Sequence, residues 1–378
     1  MTARGPIVLA AGGTGGHVFP ARALAEVLAA RGWRIALLTD ARGTAFGDAA
    51  GVETHRIRAA SLSGGARGRV RGLTQLAIGM LQARRVLRRL APTVAVGFGG
   101  YPSVPAMWAA RGARVPTLIH EQNALLGRAN RLLAPRVDRI ATSFATVTGI
   151  RPRDRHKIVL TGNPVRAAIA AVAARPYPRR TPGEPLQLLV FGGSQGARIL
   201  SDIVPAAIAA LPVGARNLLR VVQQCRGEDL ERVRSVYRDA GVQAELAAFF
   251  DDMPQRLAAA HLVIARAGAS TVAEVTAAGR PVLLVPYRHA LDDHQTANAR
   301  AVDAAGGGWI MPEDGFTADA LAARLQSFLS APHLLEDAAA AARGAGRPDA
   351  AQRLADTAEA LAEAASGSRI ATRRETAA

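Results

Sequence analysis

Residues 11–17 read AGGTGGH and residues 191–198 read FGGSQGAR. Each follows a run of apolar β-formers, Ile7 to Ala11 in the first case and Leu186 to Phe191 in the second. Each also precedes a stretch of helical periodicity, as in Leu24, Val27 and Leu28 within Pro20 to Arg31. A glycine turn between strand and helix lets the backbone approach a phosphate and aims helix N–H groups at it, with the positive end of the helix dipole behind them. Glycine in that place also simply permits a tight turn. A third cluster, Gly97-Phe98-Gly99-Gly100 after Val94 to Val96, repeats the device and favours anion binding. No Gly-Lys-Ser/Thr follows either main cluster, which excludes a Walker loop. Counted from Gly13, a dinucleotide fingerprint needs glycine where Val18 stands, which disfavours a nicotinamide or flavin oxidoreductase.

Working outward, Arg34 to Thr39, Val94 to Val96 and Thr117 to His120 read as further strands of an α/β alternation. Residues 175–185, RPYPRRTPGEP, read as a linker. The alternation then restarts. Leu186 to Phe191, Leu218 to Gln223, Leu262 to Ala265 and Val282 to Pro286 read as strands, with helices over Ala197 to Ala210, Leu230 to Ala240 and Thr271 to Ala278 between them. The expectation is two doubly wound parallel-sheet domains, at 1–163 and 164–347. An amphipathic helix over 348–365, with Leu354, Ala358 and Leu361 on one stripe, is expected to pack back on the first domain, and 366–378 to be a loose tail.

The chain has 378 residues and a formal net charge of +17, with Lys157 its only lysine. Such a surplus suits nucleic acid or an anionic bilayer as a partner. Aromatic residues are not interleaved with the arginines, and no nucleic-acid module signature occurs, so nucleic acid is not expected. The single cysteine, Cys225, reads as a buried apolar residue of a protein in a reducing compartment. The amino terminus lacks the apolar run of a signal peptide, and no stretch is apolar enough over the roughly 20 residues that a membrane helix needs. Residues 67–90 combine Leu73, Leu76, Met80, Leu87 and Leu90 at helical spacing with Arg84, Arg85, Arg88 and Arg89. That pattern fits an anionic bilayer surface, and equally an ordinary helix with its stripe in the core.

Seven segments carry a resemblance: GGTGGHVFP at 12–20, GFGGYPSVP at 97–105, HEQNALLGRAN at 120–130, TGNPVR at 161–166, GGSQGARIL at 192–200, RAGASTVAE at 266–274 and DDHQTANA at 292–299. In this order they resemble the GT-B N-acetylglucosaminyltransferases of bacterial peptidoglycan synthesis. The resemblance implies two Rossmann-like domains facing a cleft and inverting transfer of N-acetylglucosamine from UDP-GlcNAc to the 4-hydroxyl of the muramoyl sugar of lipid I, giving lipid II. It also implies a peripheral position on the cytoplasmic face of the inner membrane, against an anionic leaflet.

Residue by residue, the resemblance gives the donor to Arg166, Ser194, Gln195, Phe250, Gly268, Ala269, Ser270, Thr271, Glu274, His294, Gln295 and Asn298. Glu274 would accept hydrogen bonds from the ribose hydroxyls, although Thr271 and Glu274 also fit a capping box. Arg166 would meet the charge on departing UDP. Gln295, with His294 and Asn298, would read the sugar, and Phe250 the uracil edge, although Phe249 and Phe250 also fit plain core. The acceptor falls to Thr14, Gly15, Gly16, His17, Gly99, Gly100, Tyr101, Glu121 and Asn123. His17, at a helix start beside a phosphate loop, is the candidate general base, and its imidazole also suits the acceptor diphosphate. No Asp-x-Asp occurs, Asp251-Asp252 and Asp292-Asp293 read as helix caps, and no metal or other cofactor is expected.

Overall fold

The structure, a computed structural model, describes residues 5–12, 15–40, 52–60, 65–181, 183–194 and 196–375, with the side chains of 66, 67 and 366–375 left aside. It forms two compact units, one of Met1–Arg166 with Asp349–Ala378, the other of Ala167–Pro348. The boundary therefore falls just after TGNPVR, and the stretch 175–185 lies inside the second unit rather than linking the two. Its anchors explain why. Tyr177 packs on the second unit's core and its hydroxyl donates to His261 O at 2.8 Å, while Arg180 Nη2 donates to Leu329 O at 2.9 Å.

In the first unit the strands are β1 (Ile7–Ala10), β2 (Ile35–Thr39), β3 (Val52–Arg56), β4 (Val94–Gly97), β5 (Thr117–Glu121), β6 (Arg139–Thr142) and β7 (Ile158–Leu160). They pair in parallel in the order β3-β2-β1-β4-β5-β6-β7. Strands β1, β2, β4 and β5 are buried throughout, as parallel strands covered on both faces must be. The helix Gly15–Ala30 begins five residues before Pro20, where the sequence suggests a start, so His17 lies in its first turn. The helix Ala350–Glu375 returns to this unit. Leu354, Ala355, Ala358 and Ala362 join the cluster of Leu24 and Leu28, and Arg31 and Trp33 both reach Glu359 at 2.6 Å. The helix also runs past Ser366 to Glu375, where loose chain is expected. Once a helix is nucleated by packing, each further residue adds a hydrogen bond at little cost.

The second unit has β8 (Leu186–Phe191), β9 (Leu219–Gln224), β10 (Gln243–Ala247), β11 (Leu262–Ala265), β12 (Val282–Leu284) and β13 (Gly308–Ile310), parallel in the order β10-β9-β8-β11-β12-β13. In both sheets the order reverses once, between β1 and β4 and between β8 and β11. Ligands of open α/β sheets bind beyond the carboxyl ends of the strands at that reversal. All three glycine clusters of the sequence follow one of these four strands. Cys225 is 1 % exposed, and burial pushes its thiol pKa up.

Candidate functional site

In the first unit, Gly97 ends β4 and the chain turns through Gly99 and Gly100, at φ +84° and +71°. A Cβ on Gly99 would meet His17 Cε1 at 3.3 Å, and one on Gly100 would meet His17 Cδ2 at 3.5 Å. The glycine loop after β4 therefore lies against the imidazole carried by the helix after β1. Ser103 Oγ, 2.7 Å from Ala10 O and 2.6 Å from Gly99 O, ties the two strand ends together. Thr14, expected here, lies outside the described residues. Gly15 and Gly16 open the helix, and Tyr101 is half-buried beside the loop.

The end of β5 supplies the other wall. His17 Nδ1 stands 3.1 Å from Gln122 Oε1. Gln122 Nε2 donates to Phe98 O at 3.0 Å and to His120 O at 3.1 Å, and lies 3.0 Å from His120 Nδ1. His120 Nε2 in turn lies 2.9 Å from Gly162 O. His120 is fully buried, which pushes its pKa down to about 4, the nearby His17 adding to the effect. Residues two apart on a strand share a face, so His120 and Gln122 point together and Glu121 points away.

Of the expected acceptor contacts Glu121 and Asn123, Asn123 is half-buried and Glu121 is turned inward. The Glu121 carboxylate is 1 % exposed and accepts from Asn123 N at 3.0 Å, Asn123 Nδ2 at 3.3 Å, Gly127 N at 2.8 Å and Asn130 Nδ2 at 2.8 Å. Four donors engage both oxygens, so Glu121 shapes the HEQN turn from inside rather than presenting a carboxylate at its surface. Gln122, His120 and Asn130 are the buried polar residues that the sequence reading passed over. For His120 and Gln122 the signal was the polar run His-Glu-Gln-Asn closing a fully buried strand, where each polar group requires a partner.

In the second unit, Gly192 has no room for a side chain, because a Cβ would lie 2.3 Å from Ala197 N. Gly193 and Gly196 take φ +85° and +66°. Gln224 Oε1 accepts from Gly192 N at 3.1 Å and so holds the turn from the end of β9. The helix Arg198–Ala209 follows, without a side-chain cap. Ser194 lies in the turn, and Gln195 falls outside the described residues.

After β11, the helix Ala269–Ala277 has Gly268 at its N-cap and no side-chain cap hydrogen bond. Thr271 is thus the third helical residue, and the capping box with Glu274 is not formed. Ala269 opens the helix, the Ser270 hydroxyl is buried without a hydrogen-bond partner, and Glu274 is half-buried one turn on. The far end is held by Arg280, 0 % exposed, which donates to Leu257 O, Ala258 O, Ala278 O and Gly279 O at 2.7 to 3.2 Å. Burial lowers its pKa to about 10, which still leaves it a cation at the C-terminal ends of two helices.

Gln295 Oε1 accepts from Ala267 N at 3.2 Å and from Tyr287 N at 3.0 Å, bridging the loops after β11 and β12. Its carbonyl oxygen is thereby spent on the backbone. Asn298, also expected at the sugar, is 0 % exposed and donates to Ala267 O at 3.0 Å, bracing that loop. Half-buried His294 lies 2.7 Å from Leu291 O. Asp292 and Asp293 before it take left-handed φ of +55° and +56°, and neither Asp293 nor Asp252 makes a side-chain cap bond at its helix start, contrary to the expected role. Phe250 is buried beneath the Arg256 guanidinium, 4.0 Å from its ring, whereas Phe249 is exposed. Arg166 is exposed and ends the first of the two segments that make up the first unit. Among the described residues no group of His, Cys, Asp and Glu is arranged to hold a metal ion.

The model of the glycosyltransferase family 28 N-terminal domain matches residues 7–142, and that of the family 28 C-terminal domain matches residues 187–354. The chain is 61 % identical over 352 residues, 93 % of each chain, to the UDP-N-acetylglucosamine–N-acetylmuramyl-(pentapeptide) pyrophosphoryl-undecaprenol N-acetylglucosamine transferase of Rhodospirillum centenum. It is 57 % identical to the protein of that name from Paramagnetospirillum magneticum, over 94 % of this chain and 97 % of the relative. Among solved structures, Acinetobacter baumannii MurG superposes with a TM-score of 0.78 at 29 % identity, covering 94 % of this chain and 99 % of that one.

Proposed function

The chain belongs to glycosyltransferase family 28, and from that premise we infer that it is the N-acetylglucosaminyltransferase its relatives' names describe. It transfers N-acetylglucosamine from UDP-N-acetylglucosamine to the N-acetylmuramyl-pentapeptide pyrophosphoryl-undecaprenol lipid, the step that gives lipid II in peptidoglycan synthesis. The observation that carries this reading is the 61 % identity over 93 % of both chains.

In the residue-level reading, the second unit takes the donor. The N–H groups at the starts of Arg198–Ala209 and Ala269–Ala277 receive the diphosphate, and the Ser270 hydroxyl supplies a buried donor at the same helix start. Glu274 accepts from the ribose hydroxyls. The first unit takes the acceptor, with its diphosphate at the start of Gly15–Ala30 and the Gly99-Gly100 turn. His17 removes the proton of the muramoyl 4-hydroxyl as that oxygen bonds to the anomeric carbon. The bond from that carbon to the diphosphate oxygen breaks on the opposite face, so the configuration inverts. The electron pair leaves with UDP, and Arg166 meets its charge.

The enzyme docks peripherally on an anionic cytoplasmic leaflet through the helix Ala66–Leu90. Leu76, Ala83 and Leu87 of that helix are buried, while Val70, Leu73, Met80 and Leu81 are 38 to 65 % exposed on a stripe that continues into exposed Arg84, Arg85, Arg88 and Arg89. An apolar patch with a basic flank is the pattern that inserts shallowly into such a surface. No described helix is long and apolar enough to cross a membrane.

The testing experiment measures UDP release from UDP-N-acetylglucosamine in the presence of a chelator, with and without a soluble lipid I analogue. Acceptor-dependent release with a disaccharide product is expected. Release that ignores the acceptor, or a product without the new glycosidic bond, overturns the reading.

A further inference from the structure

We propose that Gln122 and His120 are positioning residues that hold His17 in the tautomer bearing its proton on Nδ1, so that the basic lone pair sits on Nε2. The inference rests on the reading of His17 as general base and adds how that base is set.

The chemistry of the partners fixes each hydrogen in turn. Backbone carbonyls only accept, so the side of the Gln122 amide that faces Phe98 O and His120 O, at 3.0 and 3.1 Å, is its NH2 group. The carbonyl oxygen of the amide therefore faces His17, and a carbonyl oxygen 3.1 Å from Nδ1 requires a hydrogen on that nitrogen. The same reasoning applies one step further in. Gly162 O, 2.9 Å away, requires the hydrogen of His120 on Nε2. The His120 Nδ1 lone pair then faces the Gln122 NH2 group at 3.0 Å. A doubly protonated His120 would set its Nδ1–H against the Gln122 NH2 group, and burial already disfavours that form. From Gly162 O to His17 the polarity of the chain has one consistent solution. It ends with a hydrogen on His17 Nδ1, which in the neutral ring places the lone pair on Nε2.

Free histidine prefers the opposite tautomer, with hydrogen on Nε2, so an unaided ring would offer its lone pair at Nδ1 instead. Many hydrolases set the ring with a carboxylate, which also stabilises the imidazolium and raises its pKa. A neutral amide gives the orientation without that charge. The nearest carboxylate on the same strand end, Glu121, is engaged with Asn123, Gly127 and Asn130. The Gly99-Gly100 turn against the ring limits its rotation, leaving the hydrogen bond to choose between the two flips.

The test is direct observation of the ring by 15N-edited NMR of histidine-labelled enzyme, the His17 signals being assigned by their loss in His17→Asn. The wild-type ring is expected to show a protonated Nδ1 and an unprotonated Nε2. In Gln122→Met the pattern is expected to move toward protonated Nε2, with kcat down by about 10- to 100-fold and both KM values within about twofold of wild type. An Nε2-protonated ring in the wild-type enzyme overturns the proposal whatever the activity, so the result does not depend on Gln122→Met folding. Equal kcat in folded Gln122→Met overturns it as well. Retention of kcat in His17→Ala would remove the base reading itself, an outcome separate from the tautomer the NMR reads.

Discussion

The two units place their loops by the same rule and fill them differently. Each sheet reverses its order once, and each brings two strand ends, with the loops after them, to that point. In the second unit the described loops offer helix starts, small residues, a buried hydroxyl and one half-buried carboxylate. In the first unit a histidine stands on the helix start with a glutamine and a second, fully buried histidine behind it. The shared architecture gives each unit a helix start where an anion can sit, and the unshared side chains set the chemistry available beside it. A parallel sheet specifies where chemistry happens, and the residues just past its strands specify what chemistry.

The sharpest way to break this comparison is to remove the base. His17→Ala is expected to lower kcat by about a thousandfold, a loss of about 4 kcal/mol in transition-state stabilisation, with donor affinity unchanged by calorimetry. A loss confined to donor binding would show that the division of labour is wrong.

Next comes pH. Above about 6.5 His120 is neutral in both folded and unfolded chains. As pH falls, the unfolded residue takes up a proton while the folded one, held near 4, does not. Folding stability is therefore lost between about pH 6.5 and pH 4, by about 3 kcal/mol in the limit, with no further loss from this group below 4. His261 in the second unit, also lowered by burial, acts in the same direction with less burial behind it. Hydrogen exchange should show β5 losing protection ahead of β11 as pH drops, and His120→Gln should flatten that dependence. Equal acid sensitivity at both strands would remove the contrast.

Glu274→Ala is expected to raise the KM for UDP-N-acetylglucosamine by about 100-fold, equivalent to two charge-assisted hydrogen bonds, with a much smaller effect on kcat. Steady-state kinetics with saturating acceptor separate the two parameters. The smallest effect compares matched glycines. Gly99 and Gly193 share φ at +84° and +85°, so alanine at either costs about 1 kcal/mol of stability. Only at Gly99 does the added methyl reach the imidazole, since at Gly193 nothing lies within 4 Å. Gly99→Ala should therefore reduce kcat where Gly193→Ala leaves it nearly unchanged.

The strands next to each reversal were legible because burial on both faces leaves near-continuous apolar runs, as in IVLA of β1 and LQLLVF of β8. The edge strands were not. VETHR of β3 and QAELA of β10 are mostly half-buried or exposed and polar, and β13 has only three residues. At the site, glycines and charged residues stood out because their types suggest chemistry. Gln122, Gln224 and Arg280 did not, because their work depends on which backbone atoms the fold brings to them from up to 32 positions away. Glu121 and Asn298 show the complementary case, since each side chain hydrogen-bonds the backbone of a loop. A polar residue in a binding motif can serve the loop rather than the ligand, and burial alone reveals which.

The helix Ala350–Glu375 makes the first unit discontinuous in sequence. Its core includes Leu354 and Ala358, so the cluster around Leu24 and Leu28 stays open while the ribosome makes everything in between. The second unit is continuous in sequence, Ala167–Pro348, and its core draws on no residue from outside that span. A chain cut before Ala350–Glu375 therefore leaves Leu24 and Leu28 of the first unit uncovered, while the core of the second unit keeps all its residues.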